Sequence, residues 1–80
     1  MTAAPIAVLH KNAREEVRIA LAKFKGYDLV DLRVWTEPRN GGGERIPTQS
    51  GIAVRVGLLP QLIEALLQAE AEARAAGLLS

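Results

Sequence analysis

The chain has 80 residues, with ten Lys+Arg, nine Asp+Glu and one His, for a net charge of +1. That length supports one small domain, which buries only roughly 60% of the surface its unfolded chain exposes. It contains no cysteine, so disulfides, thiol catalysis, Cys-type zinc sites and iron–sulfur clusters are excluded, and a partner subunit becomes the expected route to stability.

The composition, 49% hydrophobic and 24% charged, is that of a folded protein. The charge is uneven. Through Arg55, nine Lys/Arg stand against six acids; beyond it, Arg74 stands against Glu64, Glu70 and Glu72. The first part is therefore +3 and the last −2, which leaves room for a local basic face. No stretch approaches the roughly 18 apolar residues of a membrane span. Residues 1–9 lack the charged start and long apolar run of a leader. The expected location is cytoplasmic.

Residues 1–12 read as a flexible N-terminal arm, in which Ile6–Leu9 adds a short strand or nothing. Residues 13–80 read as the single folded domain. From Val17 to Leu21 the pattern alternates: Val17, Ile19 and Leu21 face one way, Arg18, Ala20 and Ala22 the other, as in a half-buried strand. A helix over Arg14–Lys23 is the competing reading. Phe24 to Asp28 makes a turn around Gly26. Leu29 to Thr36 alternates again, with Val30, Leu32 and Val34 on one face and Asp31, Arg33 and Trp35 on the other.

Glu37 to Gly51 reads as a long connection containing Gly41-Gly42-Gly43. Short strand pieces at Thr36–Arg39 and Glu44–Pro47 make it a protruding hairpin. Ile52, Val54 and Val56 form a further strand. Leu58 to about Ala76 is a helix, with Pro60 in its first turn and Gly77 just past its end. Leu59, Leu62, Leu66, Ala69, Ala73 and Ala76 recur at spacings of three and four, a narrow seam suited to a second helix. The fold class is α+β: a four-stranded antiparallel sheet followed by a C-terminal helix, completed as a homodimer.

Enzyme chemistry finds little support. His10 is the only histidine, and a metal site needs several ligands. Glu15-Glu16 and the Glu70/Glu72 pair diverge on their elements and do not converge as catalytic carboxylates. The triple glycine lacks the strand–loop–helix setting and Lys-Ser/Thr ending of a nucleotide loop. No enzyme activity, cofactor or metal is expected.

Two segments carry a resemblance. Phe24-Lys25-Gly26-x-x-Leu29-Val30-Asp31-Leu32-Arg33-x-Trp35 resembles the signature of the transcriptional positive cofactor four family, and Pro47-Thr48-x-x-Gly51-Ile52-Ala53-Val54 resembles its following strand. Leu58 to Leu66 is similar to its C-terminal helix, especially in bacterial members. The resemblance covers about residues 14–70. It implies a homodimer joined through its helices, whose sheets bind single-stranded DNA. It also implies coactivation of transcription in eukaryotic members, with transcription machinery as a further partner, and a nucleoid-associated location.

The resemblance implies nucleic-acid-binding roles for Phe24, Lys25, Arg33, Trp35 and Thr48. Gln49-Ser50 departs from the family, which has Lys or Arg there, and Arg39 and Arg45 are candidates to replace the lost phosphate contacts. An exposed indole or phenyl ring offers a base a stacking platform, and cations track the backbone. The plainer readings put Trp35 in a dimer core, pair Arg33 with Asp31, and pack Phe24 over its turn. Leu59, Leu62, Leu66, Ala69 and Ala73 are the candidate dimer interface. The expected function is single-stranded DNA binding, with roles in transcription regulation, replication or repair. RNA binding, or a dimeric protein-interaction adaptor that has lost nucleic-acid binding, are the alternatives.

Overall fold

The computed structural model describes residues 5–39 and 41–79. β1 (Ala7–His10), β2 (Glu15–Phe24), β3 (Tyr27–Thr36) and β4 (Ile46–Arg55) form one antiparallel sheet in chain order. A single 3-10 turn, Val56–Leu58, leads into α1 (Leu59–Ala75). The alternating segment at Val17–Leu21 is thus strand, and the competing helix over Arg14–Lys23 does not form. Its β-branched alternation overrides the helix propensity of its Ala, Glu and Lys residues.

The four strands are not the four that the pattern suggests. Ile46 to Arg55 is one continuous strand, so the pieces expected at Glu44–Pro47 and Ile52–Val56 are one element. The connection between β3 and β4 shrinks to residues 37–45. The fourth strand comes instead from the chain start. Ala7–His10, inside the segment expected as an arm, pairs with Glu16–Ile19 of β2. Asn12 shapes the link between them: its Oδ1 accepts from the backbone N–H of Arg14 and of Glu15, both at 2.9 Å. Residues 1–4 of the expected arm lie outside the described residues.

The β2–β3 turn fixes the register. Lys25 (φ 50°) and Gly26 (φ 83°) both take left-handed conformations, as the tightest two-residue hairpin requires. Phe24 then faces Tyr27, and the pairing runs without interruption to Glu15 opposite Thr36. One face of the sheet collects Val17, Ile19, Leu21, Val30, Leu32, Val34, Ile52 and Val54. The other collects Glu16, Arg18, Ala20, Phe24, Tyr27, Leu29, Asp31, Arg33, Trp35, Ala53 and Arg55.

Between β3 and β4 the register slips. Arg33 faces Gly51 but Trp35 faces Pro47, so Thr48, Gln49 and Ser50 bulge opposite Val34 alone. Thr48 pins the bulge: its Oγ1 donates to the Val34 carbonyl at 2.9 Å and accepts from the Ser50 N–H at 3.1 Å. Gly51 takes a φ of 143°, which favours glycine, and has no room for a side chain: a Cβ there lies 2.2 Å from the Leu32 carbonyl oxygen.

The apolar face stays partly open. Val30 is buried, but Leu21 is 46% and Ile52 49% exposed. None of α1 is buried, and Leu66 is 55% exposed. The helix ends as its sequence anticipates. Gly77 (φ 76°) follows it, its N–H reaching the Arg74 carbonyl at 3.1 Å while Leu78 N–H reaches that of Ala73 at 2.8 Å.

Candidate nucleic-acid interface

The polar face has two aromatic stations at opposite ends of β3. At the hairpin end stand Phe24 and Tyr27, paired across β2 and β3. The Arg55 guanidinium carbon lies 3.9 Å from the centre of the Tyr27 ring, and Lys25 Nζ lies 5.4 Å from that of Phe24. At the other end stands Trp35, with the Arg18 guanidinium carbon 4.1 Å from its ring centre. Tyr27 and Trp35 are eight residues apart on β3, roughly 26 Å at ~3.3 Å per residue. Between the stations the face narrows to Ala20, Ala22, Leu29 and Ala53, with Asp31 and Arg33 beside them.

Cations on this face are arranged by carboxylates. Arg18 and Arg33 sit directly opposite each other, an unfavourable like-charge pair. Each is held by an acid two residues away on its own strand, which alternation puts on the same face. Arg18 Nε donates to Glu16. Arg33 donates to Asp31 from Nε at 3.2 Å and Nη2 at 3.0 Å, and from Nη1 to the Thr48 carbonyl at 3.1 Å.

Glu16 is the most buried acid on the face, 6% exposed. It also accepts from Arg45, which reaches the Ala13 carbonyl at 3.2 Å and lies 4.0 Å from Glu37. The hydrogen bond from Arg18 holds the Glu16 carboxyl below the ordinary glutamate range; burial opposes this and Arg45 reinforces it. Glu15, at the edge, is lowered by hydrogen bonds from Asn12 and Lys11.

The expected site residues therefore separate. Phe24, Lys25 and Trp35 share the open polar face. Arg39 is exposed on the β3–β4 loop. Arg33, Arg45 and Thr48 lie on or beside the face, but their polar groups are engaged within the chain. The pairing of Arg33 with Asp31, one of the plainer readings, is present. Gln49 and Ser50 are exposed in the bulge. Sequence reasoning left Tyr27 out of the site and did not pair Arg18 with Trp35 or Arg55 with Tyr27. The signal for Tyr27 and for the Arg18–Trp35 contact is the two-residue turn, which makes every β2–β3 partner calculable; Arg55 lies on β4, and its place over Tyr27 follows only from the β3–β4 register. Of the candidate interface residues, Leu59, Leu62 and Ala73 are half-buried, while Leu66 and Ala69 are exposed.

Residues 11–65, more than half of the chain and including all of β2, β3 and β4, match the family model described as Transcriptional Coactivator p15 (PC4). The chain belongs to the PC4 family. That family binds nucleic acid without enzymatic activity and is associated with single-stranded DNA. Two solved structures of BPSL1147, a PC4 homolog from Burkholderia pseudomallei, are similar at 36% identity over 84% of this chain. The orthorhombic form gives a TM-score of 0.74 with 88% of that chain covered, the tetragonal form 0.75 with 96%. No curated protein matches the chain. The PC4-family match begins at residue 11 and ends within α1, so β1 and the last turns of the helix lie beyond it. Among the described residues no group of His, Asp or Glu could hold a metal, and no helix is long and apolar enough to cross a membrane.

Proposed function

We propose that this chain is a homodimeric, cytoplasmic single-stranded-DNA-binding protein that acts on strands exposed in transcription, replication or repair. The observation that carries the reading is the pair of aromatic stations on one sheet face, each already matched to a cation. Bases stack on Trp35 at one end and on Phe24 and Tyr27 at the other, which is tolerant of sequence because every base has a π-face. Lys25 and Arg39 contact phosphates. Arg33, Arg45 and Thr48 hold the platform rigid, a role their internal hydrogen bonds support.

The homodimer reading rests on α1 and the apolar face. A lone core in a chain this short supplies no more than ~3–5 kcal/mol. Here that core is half-open at Leu21 and Ile52, and no residue of the Leu59–Leu62–Leu66–Ala69–Ala73 seam is fully buried among the described residues. A second copy covers both. It also doubles the stations, which raises avidity.

The test is fluorescence anisotropy with an oligo-dT of about 20 nucleotides and a duplex of equal length as control. Two phosphate contacts per protomer make four per dimer, each giving a slope of about −0.7 in log K against log[salt]. Affinity for the single strand should fall roughly 50-fold between about 50 and 200 mM salt, with the duplex bound weakly. Absence of binding at low salt removes the reading. It would then favour a protein-interaction adaptor, which the neutral Gln49-Ser50 pair and the internal engagement of Arg33 and Arg45 make the second reading.

A further inference from the structure

The ten Lys and Arg side chains fall into two groups. Eight have a partner. Lys11 pairs with Glu15, Arg18 and Arg45 with Glu16, Lys23 with Asp28, Arg33 with Asp31, and Arg74 with Glu70. Lys25 lies over Phe24 and Arg55 over Tyr27. Arg14 and Arg39 have neither a carboxylate nor a ring among the described residues. One precedes β2 and the other follows β3, yet both line the same cleft. Its volume is about 350 Å³, and Thr36, Glu37, Pro38 and Gly41 complete its wall.

The local charge does not cancel. Glu37 is the one acid on the wall, and its carboxylate lies 4.0 Å from Arg45. Glu16 and Glu37 together balance Arg18 and Arg45. On the cleft wall itself, the positive charges of Arg14 and Arg39 stand without an ion-pair partner among the described residues. Guanidinium forks suit the oxygens of phosphate, which they bind by two parallel hydrogen bonds. A phosphodiester carries one negative charge, whereas a phosphomonoester carries about −1.5 to −2 at neutral pH and matches the surplus. The volume is at the lower end for small-molecule sites, which span about 300–1,000 Å³. It has room for a phosphate and its sugar.

The position fits as well. Thr36 closes the β2–β3 pairing, opposite Glu15, and Glu37 N–H donates to the Arg14 carbonyl just beyond it. Trp35 therefore stands next to the cleft, with Glu37 about 7 Å further along the chain.

We propose that the Arg14–Arg39 cleft binds a phosphomonoester dianion, carried by the end of a nucleic-acid strand or by a free mononucleotide. The strand-end form rests on the single-strand reading above; the mononucleotide form does not.

The experiment uses three internally labelled oligo-dT strands: one with a 5′-phosphate, one with a 3′-phosphate and one with hydroxyls at both ends. Thymidine monophosphate and thymidine are titrated separately by calorimetry. Each ligand is offered to the wild type and to the Arg14→Gln/Arg39→Gln double variant, whose changes are both at exposed positions. A terminal phosphate at one end should raise affinity about ten-fold over the hydroxyl-ended strand, as one charge-assisted bidentate contact does. In the double variant that ratio should fall to one. Equal affinity for the three strands, with thymidine monophosphate bound better than thymidine only by the wild type, assigns the cleft to a free mononucleotide. Equal affinity for the strands and no preference for thymidine monophosphate overturns the proposal while leaving single-strand binding in place. If no strand binds, the single-strand reading fails, and the mononucleotide titration alone decides the cleft.

Discussion

Arg18 lies across the face of Trp35, 4.1 Å from the ring centre, and Glu16 holds it there through the guanidinium Nε. The contact belongs to a class worth about 0.5–2 kcal/mol, depending on exposure. It steadies the half-buried ring on the polar face. In the proposed reading, a base stacks on the opposite ring face.

Trp35→Ala should remove one stacking station. A stacked base is worth ~1–3 kcal/mol, so affinity for oligo-dT should fall roughly 5- to 150-fold. The variant should remain folded, since the ring is only half-buried. Trp35 is the sole tryptophan, so wild-type emission should change on addition of oligo-dT and report the stack directly. A variant that loses its circular dichroism places Trp35 in the core instead.

Glu16 sets an acid limit. Its carboxyl is held below the ordinary glutamate value of about 4.3. A carboxyl lowered on folding adds stability that is complete above its unfolded pKa and is lost as pH falls through its folded one. Urea midpoints should therefore be level near neutrality and drop below about pH 4. Glu16→Gln should have a lower midpoint at neutral pH and a shallower acid drop. A variant whose acid profile overlays the wild type would falsify this assignment.

Gly26 and Gly51 should behave differently on substitution. Gly26 has φ 83° and nothing within 4 Å of where a methyl would stand, so Gly26→Ala meets backbone strain alone, of about 1–2 kcal/mol. Gly51→Ala drives a Cβ to 2.2 Å from the Leu32 carbonyl oxygen and 2.8 Å from Arg33 Cα. Backbone on both sides must move, and the loss should exceed about 3 kcal/mol, or more than ~10 °C in melting temperature. Thermal melts that rank Gly26→Ala as the more damaging change would contradict the bulge geometry.

Leu66→Asp tests the seam. Leu66 is 55% exposed in the single chain, so the substitution costs little there. In a helix-paired dimer it buries an unpaired charge against the partner. Sedimentation should show monomers, and a variant that stays dimeric moves the interface elsewhere.

Much of this molecule is legible in its sequence, and the exceptions have physical causes. Period-two alternation identifies β2 and β3 and which side chains share their faces. Pro60 and Gly77 bracket α1 to within a residue. The start of β4 is hidden because Pro47 and Gly51 look like breakers. Pro47 begins the strand beside Ile46, and Gly51 answers a bulge, which are the two places where a strand accepts them. β1 is only half-legible, as the short strand offered at Ile6–Leu9, because four residues are too few to display a period. In the site, the rings are legible from residue type, but the cations only in part. The Arg33–Asp31 pair is implicit in the alternation of β3, but Arg45 looks free until the fold brings Glu16 to it. Arg14 and Arg39 are far apart in sequence and meet only because the hairpin returns.

The bulge at Thr48–Ser50 separates two jobs that a regular strand would combine. Thr48 and Gly51 carry its geometry, while the side chains of Gln49 and Ser50 are exposed and carry none of it. Substitutions at those two positions can change the charge of the face without shifting the register of β4. Under the single-strand reading, Lys substituted at both positions should tighten binding here at no cost to the melting temperature.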